Sequence, residues 1–133
     1  MGYAKVNNIT FCKDITMHDD GTNTYHNVFD VLTFDSFPKK LEFLVIVGLE
    51  YNLQERDNRH FYFHFKSPKG KKIGDKIKQQ FAPSEKKKTF IEGQFKFKNF
   101  PVETEGFYEF YIEYNDEVIG SNLIYIQDME EGD

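Results

Sequence analysis

The clearest signal in the chain is a run in which every second residue is apolar. From Leu41 to Leu53 the odd positions are Leu41, Phe43, Val45, Val47, Leu49, Tyr51 and Leu53, while the even positions set Leu44 and Ile46 among Glu42, Gly48, Glu50 and Asn52. Successive side chains of a strand point to opposite faces, so the run predicts a strand whose odd face lies in the core. The same period recurs from Arg59 to Lys66, with Phe61, Phe63 and Phe65 opposed to His60, Tyr62, His64 and Lys66. It recurs again from Gly106 to Tyr114, where Tyr108, Phe110, Ile112 and Tyr114 oppose Phe107, Glu109, Tyr111 and Glu113. From Thr89 to Lys98, Ile91, Phe95 and Phe97 face inward and Lys96 and Lys98 outward.

Turn chemistry joins these runs. Asn115-Asp116 supplies two residues that tolerate positive φ, which predicts a tight hairpin into a return strand, Glu117–Ile126. Val118, Ile119, Leu123 and Ile124 do not keep one parity, and Gly120-Ser121 between them predicts a bulge. Upstream, Ala4–Cys12 and Thr24–Phe34 read as strands, with Asp19-Asp20-Gly21 as a turn, and Ser67-Pro68-Lys69-Gly70 as another. Ile73–Phe81 is in conflict: Ile73, Ile77 and Phe81 suit a helix at i, i+4, i+8, but they also share one face of a strand. Gly74 and the neighbouring strands favour the strand.

About eight strands at intervals of roughly ten residues predict an all-β fold, an immunoglobulin-like antiparallel β-sandwich in one domain spanning 1–133. An acidic, flexible tail is expected over 128–133. Gly106-x-Tyr108 after a turn fits the tyrosine corner of such sandwiches. An immunoglobulin-like order places 41–53, 59–66, 106–114 and 117–126 in one sheet, and 4–12, 24–34, 73–81 and 89–98 in the other.

Fifteen Phe and eight Tyr reinforce the β reading and supply a core without any Trp. The net charge of −5 is unevenly distributed. Residues 66–98 carry 11 basic and 3 acidic groups, whereas residues 99–133 carry none and 10. Such segments either lie near each other in the fold or leave a basic patch for an anionic partner. Cys12 is alone and has no internal partner for a disulfide. No run of about 18 apolar residues occurs, and neither a signal-peptide layout nor a myristoylation pattern opens the chain. These features lead to the expectation of a cytoplasmic protein away from membranes.

Catalytic and metal chemistry find little support. His60 and His64 would stand about 13 Å apart on a strand, from four steps of about 3.3 Å, too far to share an ion. His18, Asp19, Asp20 and His26 flank a turn, and calcium loops need more oxygen ligands in series. Cys12 lies in an apolar strand, the setting of a small core residue rather than a nucleophile. No phosphate-binding glycine loop or nucleophile elbow is present. The expectation is a non-enzymatic module without metal or cofactor.

Two binding surfaces follow from the expected sheets. One outer face gathers Leu44, Ile46, Tyr62, His64 and Tyr111 within a rim of Glu42, Glu50, Glu109 and Glu113, the anatomy of an interface with a protein partner or a second copy. The other sheet gathers Lys76, Lys78, Lys96 and Lys98, with Lys86, Lys87 and Lys88 in a nearby loop, an alternative site for an anion or nucleic acid. The acidic net charge and the use of lysine to guard sheet edges argue against this alternative.

The Cys12-Lys13-Asp14 step, the Asp20-Gly21 turn, Phe37-Pro38, Pro68-Lys69-Gly70 and the closing GFYEF…YNDEVIGSNLIYI resemble, in order, a family of small uncharacterised β-sandwich proteins of bacteria and their phages. The resemblance spans almost the whole chain and rests on turn and core residues. It implies the fold and a phage-derived or host-defence setting, and it brings no catalytic residues.

Overall fold

The computed structural model describes residues 2–129 and contains, among them, ten strands and no helix. They are β1 (Tyr3–Cys12), β2 (Asp14–Met17), β3 (Asn23–His26), β4 (Val31–Phe34), β5 (Lys39–Asn52), β6 (His60–Lys66), β7 (Lys72–Gln80), β8 (Thr89–Val102), β9 (Gly106–Tyr114) and β10 (Glu117–Asp128). Three sheets result, in the orders β1-β5-β8, β4-β10-β9-β6-β7 and β2-β3. The all-β expectation holds, and Ile73–Phe81 is a strand over most of its length.

Several finer expectations are corrected. The strands number ten in three sheets rather than eight in two. Thr24–Phe34 is not one strand, because Asn27 takes φ 53 and breaks it into β3 and β4. The pairing is not wholly antiparallel, since β4 joins β10 in parallel. The two large sheets are also divided differently: β5 pairs with β1 and β8, and β7 pairs with β6. Of the acidic tail expected over 128–133, residues 130–133 lie outside the described residues, and Asp128 closes β10.

The three- and five-stranded sheets pack face to face, and alternation decides what they bury. Every odd residue of β5 from Leu41 to Tyr51 is buried, as are Phe61, Phe63 and Phe65 of β6 and Tyr108, Phe110 and Ile112 of β9. Rings meet across the gap: Phe63 lies 4.4 Å from Phe95 and Phe43 lies 5.9 Å from Phe65, centroid to centroid. Each such side chain contributes roughly 1.5–3 kcal/mol through burial, and favourable ring pairs add about 0.5–1.5 kcal/mol.

Three local devices fix this packing. Asn115 and Asp116, at φ 51 and 62, form the tight turn between β9 and β10. The register then shifts between Val118 and Gly120, the bulge that the broken parity predicted. At Gly120 a side chain would collide with Val6, its Cβ falling 2.8 Å from the Val6 Cβ. Glycine here lets β10 close against β1, where the Asn122 Nδ2 donates to the Ile9 carbonyl at 2.9 Å. Finally, the buried Tyr108 hydroxyl donates to the Thr104 carbonyl at 2.7 Å, the bond that defines a tyrosine corner.

Candidate partner-binding face

The five residues expected to form one interface lie on two sheets. Leu44 and Ile46 belong to the outer face of the three-stranded sheet, whereas Tyr62, His64 and Tyr111 belong to that of the five-stranded sheet. In the first group Ile46 is covered by the chain itself and Leu44 is half-buried. Ile46 is 0% exposed. The β2–β3 hairpin reaches over this face, and Asn23 and Tyr25 both donate to the carboxylate of Glu92 on β8. Ile15, Asn23 and Tyr25 on the hairpin's inner side are half-buried, while Asp14, Thr16, Thr24 and His26 on its outer side are exposed. Cys12, which pairs with Leu44 on the same face, is buried too.

The second group occupies an open face whose registers form a grid. Lys78, Tyr62, Glu113 and Val118 run across β7, β6, β9 and β10 in one row. His64, Tyr111 and Ser121 form the next. Lys72, Lys66, Glu109 and Leu123 follow, and Phe107, Tyr125 and Val31 end the series on β9, β10 and β4. The face is therefore graded, basic toward β7, aromatic and acidic in the middle, and apolar toward β10 and β4.

The apolar part is bare. Val31, Phe107, Val118 and Leu123 are between 42% and 58% exposed, and the Phe107 and Tyr125 rings pack 4.8 Å apart. Sequence reasoning left these residues out of the interface. Phe107 stood in plain view on the polar parity of its strand, but the bulge hid the parity of Leu123, and nothing local places β4 beside β10.

The centre is built on His64, which is only 5% exposed. Its ring stacks on Tyr111 at 4.7 Å with 5° between the planes. Its Nε2 lies 2.7 Å from Glu113 Oε1, close but not aligned as a hydrogen bond. Burial pushes the imidazole below its ordinary value; Glu113 opposes that shift, and Lys72, Lys76 and Lys66 reinforce it. At neutral pH the contact thus joins a neutral ring to Glu113 and is not an ion pair. Around it, Lys66 sits 4.5 Å from the Tyr111 ring centre and Lys76 4.6 Å from that of Tyr62, cation–π contacts that hold ammonium groups over the face.

The lysines expected to line one sheet as an anion site are divided between two sheets and the loop between them. Lys76 and Lys78 lie on β7, Lys96 and Lys98 on β8 in the other large sheet, and Lys86, Lys87 and Lys88 in the connection between those strands. His18 and His26 bond to Thr24 and Thr16, each at 2.7 Å, on the exposed side of the hairpin. Among the described residues no group of three or more His, Cys, Asp or Glu is placed to hold a metal ion. Among the same residues no helix is long and apolar enough to cross a membrane.

Residues 7–127 match the model of a family described as a family of unknown function, DUF6941. The chain belongs to this family. Its match runs from β1 to β10 and so takes in both large sheets and the graded face. No curated protein matches the chain.

Proposed function

We propose that this protein acts by binding another protein through the outer face of its five-stranded sheet, without catalysing a reaction. The observation that carries the reading is that Val31, Phe107, Val118 and Leu123, four large exposed hydrophobic residues, fall on one continuous face beside Tyr125 and Tyr111. Scattered exposed apolar residues are ordinary, but a contiguous patch beside aromatic and charged groups has the composition of an interface. The charge gradient states what the partner presents: apolar side chains toward β10 and β4, and carboxylates toward Lys66, Lys72, Lys76 and Lys78. The resemblance to proteins of bacteria and phages extends the proposal to a phage-derived or host-defence setting.

The test is a capture experiment with a matched variant. Phe107→Lys combined with Leu123→Lys adds charge at exposed positions and leaves the core untouched. Wild-type and variant chains, both shown folded by circular dichroism, are used as bait in a lysate of the source organism, and ultracentrifugation reports self-association. A protein, or a second copy, bound by the wild type and lost by the variant supports the proposal. Identical capture and identical sedimentation by the two baits overturn it.

A further inference from the structure

At one end of the two sheets, bordering the basic end of that face, the β6–β7 turn and the β8–β9 connection form a groove of about 480 Å³. Each wall is held by its own bonds. On one side the Ser67 N–H donates to the Lys71 carbonyl at 2.8 Å, and the Gly70 N–H donates back to the Ser67 carbonyl at 2.9 Å. On the other, the Tyr108 hydroxyl pins the Thr104 carbonyl. The walls meet at Gly106, which takes φ +130; a Cβ there would lie 2.7 Å from Pro68. The groove is thus a fixed feature, with a volume in the range of small-molecule sites, roughly 300–1,000 Å³.

Its chemistry is one-sided. Lys69, Lys71 and Lys72 line it, and none of the three has a carboxylate within 4.0 Å among the described residues. Glu103 is the one acidic lining residue, and Ile73 and Pro101 give the groove an apolar portion. Gly74, with φ +67, adds no side chain. Three compact ammonium groups against one carboxylate favour a ligand carrying several negative charges in a small volume. Lysine serves such ligands as a point charge, the way it serves phosphate groups.

We infer that this groove binds a small phosphorylated molecule, its phosphates against Lys69, Lys71 and Lys72 and its remainder against Ile73 and Pro101. The site borders the graded face and shares Lys72 with it, but Lys69, Lys71, Glu103 and Thr104 lie outside that face, so the site does not require that the face bind a protein.

Calorimetric titration of the whole chain with inorganic tripolyphosphate tests it. Saturable binding at one site is expected, weakened at least tenfold by Lys69→Gln, Lys71→Gln and Lys72→Gln together. The matched change of Lys86, Lys87 and Lys88 to Gln should alter it less than twofold. All six positions are exposed, so both variants keep the core, which circular dichroism checks. No saturable binding, or equal loss in both variants, overturns the inference. So does tighter binding of a single-stranded oligonucleotide that the groove substitutions leave unchanged, which would assign the lysines to a polymer instead.

Discussion

Tyr25 donates its hydroxyl to Glu92, and this contact ties the β2–β3 hairpin to the sheet it covers. Burial, followed by the bond to Glu92, pushes the phenol up to about 12. The raised value means that the contact stabilises fully below the ordinary value of 10.0 and is lost as pH climbs through the folded one. Beneath the hairpin sits Cys12, whose thiol is raised by burial as well. Two separate properties of the thiol, its cover and its protonation, therefore depend on a short hairpin with few apolar residues of its own.

That dependence is measurable. Tyr25→Ala should leave the circular dichroism of the sheets intact yet speed the reaction of Cys12 with a thiol reagent. An increase of about tenfold corresponds to roughly 1.4 kcal/mol of easier local opening. Equal rates would mean that the hairpin does not shield the thiol.

Ile46 and Leu123 both occupy the outer side of a sheet, but they should respond oppositely to the same change. Ile46→Lys forces a charge under the hairpin at a site with no exposure, and a loss of at least about 3 kcal/mol is expected in denaturant titration. Leu123→Lys lies in the open and should stay within about 0.5 kcal/mol of wild type. Similar losses at both positions would contradict the difference in cover.

Phe63 probes the packing between the sheets. It is 1% exposed and touches the Phe95 and Phe110 rings at 4.4 and 6.2 Å. Phe63→Ala should cost about 3–5 kcal/mol, read from the denaturation midpoint with the slope unchanged.

His64 gives the face a pH dependence of predictable sign. Its folded-state value lies below the ordinary 6.5, so its contribution to stability is complete above that pH. The contribution fades as pH falls through 6.5 toward the folded value, because the unfolded chain takes up the proton first. Wild-type stability should therefore fall between pH 7 and pH 5, and His64→Gln should flatten that part of the curve. Nuclear magnetic resonance of the His64 ring should show its titration midpoint below 6.5; a midpoint above it would reverse the argument.

Faces were legible in the sequence, but partners were not. Alternation correctly placed Phe43, Val45 and Val47 inside, as well as Phe61, Phe63 and Phe110, because the side-chain period of a strand is a local property. The Asn115-Asp116 turn and the bulge after Val118 were readable for the same reason. Which strand lies beside which is decided by contacts distant along the chain. After Leu53 the chain crosses to the other sheet instead of returning as a hairpin, so Leu44 and Tyr62 share a parity without sharing a face. The cover over Ile46 was not legible because β2 and β3 have four residues each, and Ile15 and Tyr25 are the only half-buried apolar residues among them. The apolar strip of the candidate face needed both the bulge and the β4–β10 pairing before it became visible.

That parallel pairing also sets the order in which the molecule can be completed during synthesis. β4 leaves the ribosome early but finds its neighbour only in β10, the last described strand to emerge, and β1 closes against the same strand. Until then β4 has no partner, and the free edge of β9 stands open to pairing with other chains. The five-stranded sheet consequently cannot close until β10 is available, and a chain that stalls before Glu117 is exposed to aggregation and proteolysis.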